Sequence, residues 1–131
     1  MKLVMCEEIY WEFVRKLRND ERVQNGFISK TIITEEMQQS YMMRHQDNYR
    51  IALIKDEPVG YVGVIDNDIR ICTHPDFQGQ GVGEFLLKSC INIWPGSTAK
   101  IKIDNVASLR LFEACGFEKE FFLLKRKNDT I

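Results

Sequence analysis

The sequence predicts a mixed α/β (α+β) domain, a mostly antiparallel sheet flanked by helices, and three observations carry that expectation. Between Tyr49 and Thr73, three short runs rich in β-branched residues are separated only by turn residues, the form of an antiparallel meander. The third run stops at His74-Pro75, and a glycine-punctuated stretch, Gly79 to Gly83, opens an apolar helix. Ala99–Ile103 then follows that helix as a strand, and a strand–helix–strand order calls for parallel pairing through a right-handed crossover.

Met1–Cys6 reads as a short first strand. Glu7–Arg18 sets Ile9, Tyr10, Phe13, Val14 and Leu17 at helical spacing, with acids early and basic residues late, as the helix dipole prefers. Arg18–Val23 breaks into a loop ending near Gly26. Thr34 caps a second helix with Glu35 and Glu36 in its first turn, running to about His45 with Met37, Tyr41 and His45 on one side. Tyr49–Lys55, Val59–Ile65 and Ile69–Thr73 are strands two to four, joined by turns at Asp56-Glu57-Pro58 and Asp66-Asn67-Asp68. The next helix aligns Val82, Phe85, Leu86, Ser89, Cys90 and Ile93 on one face and ends at Trp94-Pro95-Gly96-Ser97. Ala99–Ile103 is the fifth strand. Asn105 caps the last helix, which closes at Cys115-Gly116-Phe117 in a Schellman arrangement that sets Phe117 on Phe112. Phe121–Lys125 supplies a sixth strand. No repeat, low-complexity tract or linker divides residues 1–131, so one domain is expected.

Composition narrows the function classes. A formal net charge of −1 argues against a dedicated nucleic-acid binder. No apolar run reaches the length of a membrane span, and the N-terminus turns acidic too soon for a signal peptide. Cys6, Cys72, Cys90 and Cys115 lie far apart, and only two histidines accompany them, so no metal site is expected. Reduced, mostly buried thiols and a cytoplasmic setting are the economical reading.

The stretch Thr73-His74-Pro75-Asp76-Phe77-Gln78-Gly79-Gln80-Gly81-Val82-Gly83 carries the functional signal. Each glycine in a first helical turn costs about 1 kcal/mol against alanine. In return the turn offers bare N–H groups at the positive end of a helix, where a phosphate can lie against the chain. A Walker loop would need Lys-Ser or Lys-Thr after the glycines, and a Rossmann fingerprint would need a different glycine spacing.

Gln78, Gly81 and Gly83 resemble the pyrophosphate-loop pattern of the GNAT N-acetyltransferase superfamily: Arg or Gln, two residues, Gly, one residue, then Gly or Ala. Asn105-Val106-Ala107-Ser108-Leu109-Arg110-Leu111-Phe112-Glu113-Ala114-Cys115-Gly116-Phe117 is similar to the family's second signature. The front of the chain looks like the branch that includes ribosomal-protein and nucleotide-aminosugar acetyltransferases. The resemblance implies a GNAT fold, a mixed sheet whose parallel strands 4 and 5 splay apart at one end. Acetyl-CoA, as co-substrate, would wedge into the gap. Its pantetheine would bond the backbone of Cys72 and Thr73, and its pyrophosphate would lie on Gln78, Gly79, Gln80, Gly81, Val82 and Gly83. Asn105, Ser108 and Phe112 would complete the cofactor side from the last helix.

The catalytic residues are less legible. Relatives often protonate the leaving thiolate with a tyrosine where this chain has Phe112, which leaves Ser108 or a water as donor. For a general base, Asp68 acting through a water is the candidate, against a plain turn role. His74 reads as a turn former, and Arg18, Glu36, Tyr41 and His45 could meet an acceptor if the front half folds over the cleft. The expected activity is direct acetyl transfer from acetyl-CoA to a primary amine of a small molecule, including amino sugar nucleotides, by a monomer or homodimer without membrane or nucleic-acid partners. The alternatives are a non-catalytic acyl-CoA-binding domain and a protein N-terminal acetyltransferase.

Overall fold

Four strands make one antiparallel sheet in the order β1-β2-β3-β4: β1 (Lys2–Met5), β2 (Tyr49–Ile54), β3 (Glu57–Ile65) and β4 (Asp68–Thr73). The computed structural model describes residues 1–127. The hairpin turns are two residues long, Lys55-Asp56 and Asp66-Asn67, with all four residues at positive φ. That is the mirror-image turn whose twist matches paired strands. The turns are therefore tighter than the sequence suggested, and Asp68 is the first residue of β4 rather than part of the turn.

The helices are α1 (Trp11–Asn19), α2 (Glu21–Gln24), α3 (Glu35–His45), α4 (Val82–Ile93) and α5 (Val106–Ala114). A 3-10 turn at Glu8–Tyr10 stands where α1 was expected to begin, and α2 occupies part of the expected loop. The sheet separates two cores. Tyr49, Ile51, Tyr61 and Cys72 pack with Val14, Leu17 and Met42 on the α1/α3 side. Ala52, Val62, Val64 and Ile69 pack with Val82, Leu86, Cys90 and Phe112 on the α4/α5 side. The inward residues of α3 are Gln38 and Met42, whereas Met37 is exposed. Gln38 is turned inward because its amide donates to the carbonyl of Trp11 at 2.7 Å.

Two expected strands need correction. Ala99–Ile103 joins β4 only through the parallel bridge of Asp68 with Thr98, and it continues without a ladder. The splay between strands 4 and 5 is thus present, and it begins one step after the bridge. Phe121–Lys125 pairs with no strand, and Phe121, Phe122, Leu123 and Leu124 are each at least 81% exposed. A β-prone run stays unpaired where no neighbouring edge takes its N–H and C=O groups. The α5 terminus is as expected. Phe117 N–H donates to Phe112 O at 3.0 Å, Gly116 N–H donates to Glu113 O at 3.1 Å, and Gly116 has φ +94.

Candidate acetyl-CoA and acceptor cleft

A cleft of 960 Å³ follows the gap between β4 and residues 99–101. Ile69 N–H donates to Thr98 O at 2.8 Å, and Thr98 N–H returns a bond to Asn67 O at 2.9 Å. Beyond this apex the two segments diverge. Peptide groups alternate along a strand, so Ile71 and Thr73 direct their N–H groups the same way as Ile69, toward the gap. His74 N–H donates to Val59 O, which places the Cys72 N–H on the β3 side as well. Thr73 therefore presents its main-chain N–H to the cleft. Cys72 lines the cleft, but its N–H faces β3, so the free main-chain donor beside Thr73 belongs to Ile71.

At the wide end stands the glycine turn. Gly79 and Gly81 have φ of +78 and +81, in the region where a side chain is strained. Phe85 N–H makes the first bond of α4, to Gly81 O at 3.0 Å. Among the described residues, the N–H groups from Gly79 to Glu84 find no acceptor in the chain. An uninterrupted run of free donors at a positive helix end is an anion seat. Gln78, Gly79, Gly81, Val82 and Gly83 line the cleft, whereas the exposed Gln80 does not.

From α5, Asn105, Ser108 and Phe112 also reach the cleft wall. Asn105 Oδ1 accepts from Ser108 N–H at 3.2 Å, so the cap is made, while its Nδ2 donates to Gly26 O at 3.4 Å. Phe112 is 2% exposed and meets Phe117 edge-on, with ring centroids 5.0 Å apart. Asp68 lines the opposite wall and accepts from Arg70 Nε at 2.9 Å. His74 keeps to its turn: Nδ1 accepts from Asp76 N–H at 3.1 Å, capping a 3-10 turn over Pro75–Phe77.

The front half does fold over this opening. Arg18, Arg22, Gly26 and Phe27 line it together with Tyr49 and Tyr61, whereas Glu36, Tyr41 and His45 do not. Of these residues the sequence marks only Arg18 as a candidate acceptor contact. Two tyrosines in buried strands gave no signal of cleft contact, because alternation assigns them to a face and not to an end of the sheet. Cys72 is pushed up to about 12, first by burial and then by the nearby Asp20, with Arg18 opposing. That thiol stays protonated at neutral pH and is no nucleophile. No group of His, Cys, Asp or Glu among the described residues could hold a metal ion.

Comparison with known proteins decides the family. Residues 4–117 match the acetyltransferase (GNAT) family. The chain belongs to that family. It is 28% identical over 65 residues to the peptidyl-lysine N-acetyltransferase YjaB of Salmonella typhimurium, a match taking in 49% of this chain and 45% of that protein. The chain thus aligns with less than half the length of this curated relative. Among solved structures it resembles the Vibrio cholerae spermidine N-acetyltransferase in complex with CoA and spermine. That likeness has 17% identity and TM-score 0.81, covering 95% of this chain and 85% of the other. A ribosomal-protein-alanine N-acetyltransferase from Brucella melitensis gives 18% identity and TM-score 0.78, covering 90% and 85%. These structural likenesses establish the fold of this GNAT chain.

Proposed function

We propose that this GNAT chain is an acetyl-CoA-dependent N-acetyltransferase that moves the acetyl group directly to a primary amine of a small molecule, with amino sugar nucleotides among the candidate acceptors. The observation that carries the reading is the run of free N–H groups from Gly79 to Glu84 at the wide end of a parted strand pair. The residues present fit the carrier: main-chain donors for a diphosphate, and the unpaired edge of Ile71 and Thr73 for an extended amide-bearing arm. Asn105 and Ser108 flank that arm from α5.

Direct transfer is favoured by the state of the cleft's one lining thiol. Cys72 is held protonated by burial, so a covalent acyl-cysteine is not a reasonable intermediate. An edge N–H of β4 polarises the thioester carbonyl, Asp68 takes the amine's proton through a water, and Ser108 or a water returns one to sulfur. A thiol of ordinary pKa, about 8.5, leaves without strong assistance, so the hydroxyl-free Phe112 is compatible with turnover. The four cysteines are free, three of them buried, which suits a reducing cytoplasmic setting. No helix among the described residues is long and apolar enough to cross a membrane.

The test is a thiol-release assay with acetyl-CoA across amino sugar nucleotides, polyamines, amino acids and short peptides. Amine-dependent release of CoA supports the reading. Tight acetyl-CoA binding with no turnover on any amine would establish the non-catalytic alternative that Phe112 suggests. Preference for peptide N-termini would establish the protein acetyltransferase.

A further inference from the structure

The α1/α3 side of the cleft holds two polar side chains that no neighbour engages among the described residues. Arg22 is held by Asp20 at 2.7 Å and Asp76 at 3.0 Å, and Arg70 by Asp68 at 2.9 Å. The Tyr49 hydroxyl is bonded to that of Tyr41 at 2.6 Å. Arg18, half-buried on the last turn of α1, makes no side-chain hydrogen bond or ion pair among the described residues, and Gln24 Nε2 donates to its main-chain carbonyl at 3.3 Å. Tyr61, at 3% exposure, makes none with its hydroxyl either, and both residues line the cleft. Leu17, next to Arg18 in the chain, packs in one core with Tyr61, so both residues belong to the same wall of the cleft. Burial raises the Tyr61 hydroxyl well above its ordinary value, and the positive charge of Arg18 works against that rise.

A guanidinium is donor-only, and a phenol that holds its proton is a donor in its company. Their complement is a group that only accepts and carries negative charge. A planar carboxylate suits one guanidinium fork; Lys100, which also lines the cleft and makes no ion pair among the described residues, stands across the gap on the 99–101 segment.

We propose that Arg18 and Tyr61 anchor a carboxylate carried beside the reacting amine, so that the acceptor is an amino acid or a similar small zwitterion rather than a polyamine. This rests on the acetyltransferase reading above and narrows its acceptor. The anchor also serves the chemistry. The amine must shed its ammonium proton to solvent before it attacks, and a nearby cation that neutralises the carboxylate favours the uncharged form. The nitrogen then bonds the acetyl carbon, the carbon–sulfur bond breaks with its pair going to sulfur, and the amine's remaining surplus proton ends on the thiol. A polycation meets Arg18 as a like charge.

The experiment compares kcat/KM for an α-amino acid, its primary amide, an aminoalkyl phosphate and spermidine, in the wild-type chain, Arg18→Met and Tyr61→Phe. Acetyl-CoA titration calorimetry and a thermal melt accompany each protein. The acid is expected to exceed its amide by about 10- to 100-fold, the range of one charge-assisted pair. The ratio should fall toward one in Arg18→Met and part of the way in Tyr61→Phe. If Arg18→Met does not fold, Arg18→Gln and Tyr61→Phe read the same ratio. An acid-to-amide ratio of one or less in the wild type overturns the anchor, as does a ratio that survives in Arg18→Met. A preference for the phosphate or for spermidine overturns it too. Equal losses for acid and amide would assign Arg18 to the reaction's oxyanion and also overturn it. In all these cases acetyl-CoA still binds. Absence of acetyl-CoA binding by the folded wild type would instead overturn the acetyltransferase reading, and the anchor with it.

Discussion

Ile69 donates its N–H to the carbonyl of Thr98 at 2.8 Å, and this contact, with the return bond from Thr98 to Asn67, closes the narrow end of the cleft. The amides of Ile69 and Thr98 are therefore expected to exchange slowly with deuterium in the free protein. Those of Ile71 and Thr73 face the gap and should exchange fast, then become protected when acetyl-CoA is added. Protection of Ile71 and Thr73 without the ligand would mean that the strands are joined farther along than described.

Gly81 tests the anion seat. At φ +81 an alanine costs roughly 1–2 kcal/mol of stability, and although its β-carbon would meet only Met1 Cε at 3.8 Å, relief of that strain would turn the free N–H groups out of line. Gly81→Ala should still fold, with acetyl-CoA affinity reduced by about tenfold or more, the worth of one lost charge-assisted bond. Calorimetry on the folded variant checks it. Gly83 is the poorer probe, because its β-carbon would sit 3.1 Å from Leu111 Cδ2 and disturb the α4–α5 contact as well.

Phe112 separates packing from acid catalysis. Phe112→Ala should lower the unfolding free energy by about 3–5 kcal/mol, since a sealed aromatic side chain and its contact with Phe117 are removed. Phe112→Tyr should keep the fold and leave the transfer rate equal or higher, because it adds a proton donor at the cleft wall. Denaturant melts and thiol-release rates measured side by side distinguish the two effects.

The buried thiols predict an alkaline weakness. Cys6 and Cys72 are each pushed up to about 12, by burial above all, against about 8.5 in an unfolded chain. Between those values the unfolded chain releases protons that the folded chain retains, so stability falls as pH rises. Denaturation midpoints should decline from neutral into alkaline pH, and Cys72→Ala should flatten part of that slope. At neutral pH the half-buried Cys115 should be alkylated before either of them.

The exposed run Phe121–Leu124 contributes nothing to either core. Replacing Phe121 and Phe122 together by serine should change the unfolding free energy by less than about 0.5 kcal/mol, while raising solubility. A large loss of stability would show that the run packs somewhere in solution.

What the sequence reveals follows from how local each cause is. The glycine turn, the Asn105 cap and the Schellman end at Gly116 depend on a few adjacent residues, and each is found as expected. Ala99–Ile103 has strand chemistry but lacks the neighbour that makes a strand, because pairing is decided by residues far away. The inward turn of Gln38 depends on a carbonyl in another helix, which no periodicity in α3 reveals. Arg22, Gly26 and Phe27 reach the cleft through the docking of the front half against the sheet, and Tyr61 reaches it through the pairing of β3 with β4. Their role is a matter of tertiary placement, so spacing along the chain carries no trace of it.

The gap beside β4 has walls drawn from both sides of the sheet, with Tyr49 and Tyr61 on one and Val82 and Phe112 on the other. The sheet stops at β4, so its outer edge stands open between two packed faces. A guest laid along that edge would be gripped from above and below at once.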